Sequence, residues 1–316
     1  MTERYHKSKE GDMEKAEKIW LNGKLIPWDE AKVHILTHAL HYGTAVFESM
    51  RCYETTKGSA LFRPRDHMQR LTNSAKIYQM NMPYSVDDLC VAASEIVKAN
   101  GFKECYVRPI AYYGFGEMGV NPRKNPVDVS LIAWEWGAYL GDEGIEKGIS
   151  CKVSSWLRID SRMLPPQAKA SANYANSMLA KLEALDCGYD EAIMLNLAGS
   201  VCEGSGENIF IIKDGTLITP PLSAGALAGI TMDSVITIAK DMGIPFVSRD
   251  VTREELFLAD EAFFTGTAAE ITPIREVDGR VIGNGGRGEL TAKIQAKFFD
   301  IVRGQGERYY HWLDFI

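Results

Sequence analysis

Lys169 is the residue whose surroundings are best suited to covalent chemistry. It lies in the segment PQAKASANY, where small, uncharged residues leave the lysine without a salt-bridge partner at neighbouring helical positions. A lone lysine is usually a surface residue, because buried lysines are rare. A desolvated lysine can instead condense with a carbonyl group to form a Schiff base. The segment therefore indicates a Schiff-base lysine, provided that other motifs support that role.

Two loops containing glycine could bind an anion. The segment ALAGITMDS leads into a helix whose free N–H groups near Gly229, Ile230 and Thr231 could cradle a phosphate. The segment GTAAEITP follows a strand-like run, and at Thr267 and Ala268 its backbone could approach an anion closely. Each loop alone could be an ordinary helix start or turn, so the prediction depends on both.

Three charged residues complete the set. Glu203 lies among apolar residues and glycines in VCEGSGENIF, where a carboxylate would need a partner such as a protonated pyridine nitrogen. Arg63 and Arg108 both emerge from strand-like surroundings, and Arg63 is the one that we expect to reach a phosphate. Arg65 and Arg70 are interpreted as surface or helix-face charges.

The elements that must position these residues are legible in the pattern of turns and helices. Two-residue turns of the Asn-Gly or Asp-Gly type predict three antiparallel hairpins, at residues 22–23, 214–215 and 278–279. Apolar periodicity predicts helices over 66–78, 85–100, 173–187 and 231–242, and Thr252 with Glu255 predicts a capping box. Hairpins mixed irregularly with helices favour an α+β fold over a doubly wound parallel sheet.

Length and composition indicate two domains of a soluble, folded chain. The 316 residues are enough for two cores with a cleft between them, and the glycine-rich, charged segment 137–148 separates two strand-like runs. We therefore predict a flexible tail over 1–18, a small α+β domain over 19–136, a linker over 137–148 and a large cofactor-binding domain over 149–316.

The charge and the cysteines limit the partners and the compartment. A net charge of −7 without basic blocks argues against nucleic-acid binding, and no run approaches the roughly 20 apolar residues of a membrane span. The six cysteines are widely spaced and form no CxxC pair, which predicts reduced thiols and a cytoplasmic protein.

Two other motifs are weaker. Residues 114–119 match GxGxxG, but VNPRKNP follows and cannot open the helix that dinucleotide binding requires. His34, His38 and His41 have a spacing that could bind a metal, but His41 runs into a Tyr-Gly turn without a carboxylate ligand. We therefore predict neither a dinucleotide site nor a metal site.

Several motifs in order resemble one known family. These are HYGTAVFESMRCY, FRPRDHMQRL, YVRPI, GVNP, WGAYL, EGSGENIF, GIT and FTGTAAEITP, with the lysine segment between them. They make the chain similar to the fold-type IV pyridoxal-phosphate enzymes, and within them to branched-chain amino-acid aminotransferases, from about Ile19 to the C-terminal region. The resemblance implies a two-domain α+β fold with pyridoxal 5'-phosphate (PLP) in the interdomain cleft.

The resemblance also implies roles for individual residues. Lys169 would hold PLP as a Schiff base and shuttle protons, Tyr174 would contact the ring hydroxyl, Glu203 would pair with the ring nitrogen and Leu227 would pack against the ring. The cofactor-binding set is completed by Arg63, Gly229, Ile230, Thr231, Gly266 and Thr267. The substrate-binding set would be Tyr42, Phe47, Tyr106, Arg108, Trp136, Tyr139, Thr267 and Ala268.

That family transfers the amino group of leucine, isoleucine or valine to 2-oxoglutarate by a ping-pong mechanism. The resemblance further implies a homodimer or a dimer-based hexamer, in which Tyr42 and residues 106–118 reach a neighbouring subunit. Two residues depart from the family pattern: Ser49 replaces a usual glycine, and Ala228 replaces a frequent proline. We expect Ser49 to shift side-chain preference rather than to abolish the chemistry.

Three alternatives stay open at this point. D-amino-acid aminotransferases, amine transaminases and aminodeoxychorismate lyases share the lysine and the glutamate, although YVRPI and GTAAEITP favour the branched-chain, L-specific enzyme. A cofactor-binding protein without turnover would lack the lysine, which is present here. A Schiff-base aldolase without PLP would have a barrel of alternating strands and helices, which the hairpins disfavour.

Overall fold

The computed structural model of the protein describes residues 15–137 and 140–316. Most of the predicted N-terminal tail, and two residues of the predicted linker, thus lie outside the described residues.

The part of the described chain before residue 137 contains the following helices and strands. They are β1 Lys18–Leu21, β2 Lys24–Pro27, α1 His38–Tyr42, β3 Ala45–Phe47, β4 Met50–Thr55, β5 Gly58–Phe62, α2 Pro64–Ile77, α3 Val86–Asn100, β6 Cys105–Tyr113 and β7 Val127–Trp134. A short 3-10 helix covers Trp28–Glu30.

The part after residue 140 contains the remaining elements. They are α4 Asp142–Lys147, β8 Ile149–Val153, α5 Ser171–Asp186, β9 Glu191–Leu195, β10 Val201–Gly204, β11 Asn208–Lys213, β12 Thr216–Thr219, α6 Ile230–Asp241, β13 Phe246–Ser248, α7 Arg253–Phe257, β14 Glu261–Gly266, β15 Glu270–Val277, β16 Arg280–Val281, α8 Glu289–Val302 and β17 Leu313–Phe315. Further 3-10 helices cover Leu222–Ala224 and Glu307–Trp312.

Within the described ranges the strands form two sheets, which confirms the predicted α+β class. The first has the order β17-β5-β4-β6-β7-β1-β2, with β3 added to β6, and all its pairs are antiparallel. The second has the order β10-β9-β8-β15-β14-β11-β12-β13, with β16 added to β15, and it contains parallel pairs only at β8 and β13. Strand β17 pairs with β5 and therefore belongs to the first sheet. The predicted boundaries instead place all of residues 149–316 in the second domain.

The three predicted hairpins are confirmed as β1–β2, β11–β12 and β15–β16. Both central residues of each turn have a positive φ, the conformation that suits a two-residue hairpin. The values are 49° and 85° for Asn22 and Gly23, 47° and 72° for Asp214 and Gly215, and 48° and 73° for Asp278 and Gly279.

The predicted helices are confirmed as α2, α3, α5 and α6, each within two residues of its expected ends. The Thr252 and Glu255 capping box is present at the start of α7, and a second one, formed by Ser85 and Asp88, starts α3. Within the described residues no helix combines the length and the apolar content that crossing a bilayer requires.

One apolar core lies between the first sheet and its helices, a second core contains side chains of both sheets, and the lysine segment is attached to the first core. Helices α2 and α3 cover the first sheet, whereas α6 and α8 pack against the second. Ala168 and Ala170 are buried in the first core, and the Phe47 N–H donates a 2.9 Å hydrogen bond to the Lys169 carbonyl. Because small side chains on both sides of Lys169 are buried, the backbone that carries the lysine is held against β3.

Candidate active site

Most of the predicted site residues line one cavity of about 160 Å³. Its walls come from β3, β6, α5 and the strand ends of the second sheet. The predicted residues found there are Phe47, Tyr106, Arg108, Trp136, Lys169, Tyr174, Leu227, Gly229, Ile230, Thr231, Gly266, Thr267 and Ala268.

Lys169 presents its amine inside this cavity. The residue is 9% exposed, which confirms the predicted desolvation. Its Nζ lies 2.6 Å from the Tyr174 hydroxyl and 5.1 Å from the centre of the Phe47 ring. The Lys169 N–H donates to Ser74 Oγ at 3.0 Å, so the backbone is held independently of the side chain. An amine fixed in this way is available for covalent chemistry.

The N-terminus of α6 forms the end of the cavity that is best suited to an anion, which we name the anion-binding end. The helix begins at Ile230, with Gly229 as its N-cap, and no side chain occupies the cap. A Cβ on Gly229 would lie 1.8 Å from Asn208 Oδ1, so only glycine fits there. Asn208 in turn donates a 2.9 Å hydrogen bond to the Leu227 carbonyl, which fixes the preceding loop. Free N–H groups and the helix dipole at this end favour a negatively charged ligand.

Arg70, and not Arg63, is the arginine at the anion-binding end. Arg70 lines the cavity and donates a 2.7 Å hydrogen bond to the Ala228 carbonyl, next to the α6 N-terminus. Arg63 lies outside the cavity lining and is paired with Asp66 and Asp233, each at 2.6 Å. The interpretation of Arg70 as a surface or helix-face charge is wrong, because Arg70 lines the cavity and its side chain is largely buried. The predicted contact of Arg63 with a phosphate stays a prediction, which its position outside the lining does not support.

A buried ion pair holds Arg70 in place. Its Nε and Nη2 lie 2.5 and 2.9 Å from the two carboxylate oxygens of Glu48, which is fully buried. His67 Nδ1 lies 2.8 Å from the same carboxylate. Burial alone would raise the pKa of Glu48, but Arg70 and His67 hold it well below its usual range. Arg70 is therefore fixed by a charged Glu48, with its remaining donor turned toward the α6 loop.

Glu203 has a partner that the sequence did not reveal. Arg158 Nε lies 2.7 Å from its Oε1, with both side chains buried, and the Leu227 N–H donates to its Oε2 at 2.9 Å. The carboxylate therefore lies directly beside Leu227, although Glu203 itself is outside the cavity lining. Burial raises the pKa of Glu203, and the opposing effects of Arg158 and the Leu227 N–H do not cancel that rise.

An arginine surrounded by aromatic rings forms the opposite wall. The Arg108 guanidinium carbon lies 4.8 Å from the centre of the Phe47 ring and 5.3 Å from that of Tyr106, and Arg108 Nη2 donates to the Tyr106 hydroxyl at 3.1 Å. The Trp136 ring packs edge-on against Tyr106 at 4.6 Å. This wall offers apolar ring faces together with a cation.

Arg51 positions the loop at residues 266–268, and sequence reasoning missed it. Its guanidinium donates to the carbonyls of Thr267, Ala268, Trp136 and Gly137 at 3.0–3.2 Å. Along β4, Arg51 lies between the buried Met50 and Cys52, so its side chain projects from the opposite face of the strand. An arginine in that position could have indicated a partner on that face.

The remaining predicted residues lie elsewhere. Tyr42 is 41% exposed on α1 and is absent from the lining, whereas Tyr139 lies outside the described residues. His38 bonds Thr44 and the Gly119 carbonyl, and His41 bonds the Ile35 carbonyl. Across residues 15–137 and 140–316, no group of three or more His, Cys, Asp or Glu residues could hold a metal ion.

A model of the amino-transferase class IV family matches residues 45–277. The chain belongs to the class IV aminotransferases. It is 48% identical over 301 residues to the branched-chain-amino-acid aminotransferase of Escherichia coli K12, covering 95% of this chain and 97% of that protein.

Solved class IV structures agree in fold. The crystal structure of the Escherichia coli branched-chain enzyme has a TM-score of 0.93 at 48% identity and covers 95% of this chain and 99% of the other. The T.th. branched-chain amino acid aminotransferase, complexed with N-(5'-phosphopyridoxyl)-L-glutamate, has a TM-score of 0.92 at 46% identity, with the same coverage.

The cavity of this class IV chain suits a phosphorylated pyridine cofactor. Thr265 Oγ1 and Arg108 Nε are buried without hydrogen-bond partners, and both residues line the cavity. A ligand with several oxygens would satisfy such groups. Burial raises the pKa of Glu203 despite Arg158, so a second positive partner such as a protonated ring nitrogen would stabilise its charged form. The donor set therefore fits an anion at one end and a cation at the other.

The two departures from the family pattern have different consequences. Ser49 lines the cavity, and its carbonyl accepts a 3.2 Å hydrogen bond from the Thr267 hydroxyl. Its predicted effect on side-chain preference stays a prediction. Ala228 contributes its carbonyl to Arg70, and proline has the same carbonyl. An alanine at this position is thus compatible with the anchoring of Arg70.

Proposed function

We propose that this chain transfers the amino group of leucine, isoleucine or valine to 2-oxoglutarate, with PLP held covalently by Lys169. The observation that carries the proposal is the Lys169 amine, 2.6 Å from the Tyr174 hydroxyl, in a cavity that ends at the free N-terminus of α6. The name and the near-complete overlap of the Escherichia coli relative support the substrate class.

We assign the cofactor to residues at three positions along the cavity. Arg70 and the N–H groups at Gly229–Thr231 would hold the phosphate, together with Thr267, which lines the same cavity. Tyr174 would contact the ring hydroxyl, and Glu203 would pair with the ring nitrogen next to Leu227. When bound, PLP supplies an electron-withdrawing ring that allows the substrate Cα to lose its proton.

The protein then has to bind the substrate and move one proton. Lys169 Nζ is the group placed to accept the Cα proton and to return it to the cofactor carbon on the other side of the nitrogen, two atoms away, with the Tyr174 hydroxyl keeping the amine in line. Arg51 would keep the carbonyls of Thr267 and Ala268 turned away, so that the N–H groups of their loop can face a substrate carboxylate. The walls of Phe47 and Tyr106 keep water from this proton.

Arg108 explains how one pocket could accept two kinds of side chain. A branched aliphatic chain would pack on the faces of Phe47, Tyr106 and Trp136. The side-chain carboxylate of glutamate would instead bind the Arg108 guanidinium, whose Nε is buried and unpartnered.

The test is a transfer assay on the purified protein supplied with PLP, L-leucine and 2-oxoglutarate. We expect glutamate to form in step with 4-methyl-2-oxopentanoate. L-leucine alone should remove the visible absorption of the cofactor, and 2-oxoglutarate should restore it. Bound cofactor without any glutamate would favour a binding protein. A response to D-leucine but not to L-leucine would favour the D-specific aminotransferases.

We propose that the protein acts as a homodimer or a dimer-based hexamer. Residues 33–42 and 115–120 form one surface, because Thr37 pairs with Phe115 and His38 Nε2 bonds the Gly119 carbonyl. Large apolar side chains project from it, with Ile35 73% exposed and Val120 85% exposed. Such a surface is typical of an interface, and a second copy would bring Tyr42 to the partner's cavity.

This proposal predicts the result of sedimentation of the purified protein. The wild type should sediment as a dimer or larger assembly. The double variant Ile35→Glu, Val120→Glu should sediment as a monomer and lose most transfer activity, because the cavity would lack its second wall. Wild-type activity in a monomeric fraction would contradict the proposal. We also propose a cytoplasmic location, with which six cysteines outside any disulfide are compatible.

A further inference from the structure

A second carboxylic acid, Glu207, lies in the wall of the cavity. It is 5% exposed and belongs to the lining, just before β11. Asn208 pairs with Thr265 across β11 and β14, so Glu207 stands opposite Gly266, the first residue of the loop assigned to substrate carboxylates. Its Cγ lies 3.6 Å from the position that a Cβ on Gly266 would take.

The Glu207 carboxyl is packed between two strand ends rather than turned to solvent. Its Oε2 lies 2.7 Å from the position of a Cβ on Gly204, at the end of β10. The same oxygen accepts a 3.1 Å hydrogen bond from the Gly206 N–H. Lys181 of α5 forms a 2.7 Å ion pair with the neighbouring Glu191. The Gly206 N–H is thus one hydrogen-bond donor to the Glu207 carboxyl, and the Lys181 cation lies in the same cluster.

Burial and the acidic neighbours of Glu207 oppose its ionisation. Burial has the largest effect, followed by the negative charge of Glu191 on β9, with Glu203 on β10 adding to both. Lys181 on α5 opposes them, as does the Gly206 N–H, and together these effects raise the pKa of Glu207 to about 8. The neutral thiol of Cys151 on β8 lies in the same cluster, and its own pKa is raised by burial and by Glu191.

We propose that Glu207 is a specificity-determining residue: its neutral form allows the loop at residues 266–268 to bind carboxylates, and its ionised form weakens their binding. The effect is larger for a dicarboxylate such as 2-oxoglutarate than for a monocarboxylate. This inference rests on the proposed function, because it takes that loop to be the binding site for the α-carboxylate.

The physical reason is like-charge repulsion in a wall with little water. A carboxylate bound at the loop lies beside Gly266, and Glu207 faces that residue from the neighbouring strand. Coupling between two such sites usually changes affinity by about 5-fold to 150-fold. We expect about tenfold for a monocarboxylate, near the lower end of that range, and more for a dicarboxylate. Because binding requires the neutral form, affinity is full below the pKa of Glu207 and falls as pH rises through it.

The test uses two ligands that cannot react, 4-methylpentanoate and glutarate. Calorimetry on the holoenzyme gives the dissociation constant of each ligand at pH values about 1.5 units below and above the Glu207 pKa. The measured quantity is the ratio of the dissociation constant at the higher pH to the dissociation constant at the lower pH. In Glu207→Gln, which keeps the shape of the side chain but cannot ionise, this ratio should fall by about tenfold relative to wild type for 4-methylpentanoate and by more for glutarate. The exposed Glu254→Gln is the matched control and should follow the wild type.

A second variant decides the question if Glu207→Gln fails to fold. Glu191→Gln removes the neighbouring negative charge, so the wild-type midpoint should move to lower pH. Equal ratios in wild type and Glu207→Gln, or an unmoved midpoint in Glu191→Gln, would overturn the proposal. If the ratio changes equally for 4-methylpentanoate and glutarate, the proposal that ionised Glu207 weakens dicarboxylate binding more than monocarboxylate binding would be overturned. No turnover is needed, so absence of leucine transfer would contradict the proposed function without changing this titration.

Discussion

Replacing Lys169 with alanine is expected to lower the rate of amino transfer by about 10⁴-fold or more, at the upper end of what one positioned acid–base group contributes. The substitution removes the amine that lies 2.6 Å from the Tyr174 hydroxyl, and with it both the covalent attachment and the proton carrier. The rate of glutamate formation from L-leucine and 2-oxoglutarate measures the loss.

The fold of Lys169→Ala should persist, because backbone groups hold this segment. The Lys169 N–H donates to Ser74 Oγ at 3.0 Å, and its carbonyl accepts from the Phe47 N–H at 2.9 Å. Lys76→Ala, which removes an exposed lysine of α2, is the matched control and should keep wild-type rates. Thermal unfolding of both variants separates lost chemistry from lost structure.

A small added amine gives a further test of the lysine's role. Methylamine can enter the space that the shortened side chain leaves and can carry a proton there. It should restore part of the activity of Lys169→Ala and leave the Lys76→Ala rate unchanged. A Lys169→Ala protein that retains activity within about tenfold of wild type would exclude Lys169 as the acid–base group.

The elements of the fold were predictable because their signals are local. Asn-Gly and Asp-Gly pairs favour positive φ at two successive residues, so the hairpin at Asn22 and Gly23 could be identified from two letters. The capping box of Thr252 and Glu255 likewise depends on a three-residue spacing. The return of β17 to the first sheet has no such signal, because it depends on a pairing with β5 that is distant in sequence.

The cavity residues with short-range motifs were also predictable, but their partners were not. Lys169 and the glycines around α6 are marked by composition. Arg158 was missed because its pairing with Glu203 joins a loop to a strand about 45 residues away, and no spacing rule reports such a contact. A sequence pattern thus locates a reactive group more readily than the group that sets its charge.

The misinterpretation of Arg70 as a surface charge, and the choice of Arg63 in its place, have a specific physical cause. Arg63 follows the last residue of β5 and is the N-cap of α2, where its backbone is left-handed with φ of 51°, and its side chain is paired with Asp233. Arg70 shares a helical face with the buried His67 and Ser74, at spacings of three and four residues. That buried polar face of α2 was the available signal, and an interpretation of each arginine in isolation overlooked it.

Replacing Arg70 with methionine is expected to have the largest effect on stability. The change leaves the Glu48 carboxylate buried and without its cation, which usually costs about 3–5 kcal/mol in the free energy of unfolding. Urea unfolding of the cofactor-free protein measures this difference. In wild type the Glu48 pKa is lowered, so its contribution is complete above the unfolded pKa of about 4.3 and is lost as pH falls through the folded value. The deficit of the variant should therefore shrink on acidification.

The double variant Glu48→Gln, Arg70→Met separates an orphaned charge from lost packing. If the unpaired carboxylate causes the instability, removing its charge should recover part of the lost free energy. Arg65→Met is the control on the same helix, because Arg65 and its partner Asp87 are both 72% exposed, and it should change stability little. Equal losses for Arg65→Met and Arg70→Met would contradict the assigned ion pair.

Cofactor affinity decides between the two candidate phosphate arginines. A hydrogen bond to a charged group contributes about 1.5–3 kcal/mol, so Arg70→Met should weaken PLP binding by about 10-fold to 150-fold. Arg63→Met should leave the dissociation constant near that of wild type, because Arg63 faces Asp66 and Asp233. Equilibrium dialysis of the cofactor-free proteins against PLP gives both constants. Arg63 is the N-cap of α2 and Arg70 lies about two turns further along the same helix. Weakened PLP binding by Arg63→Met with unchanged binding by Arg70→Met would therefore assign the phosphate to Arg63 and contradict the role proposed for Arg70.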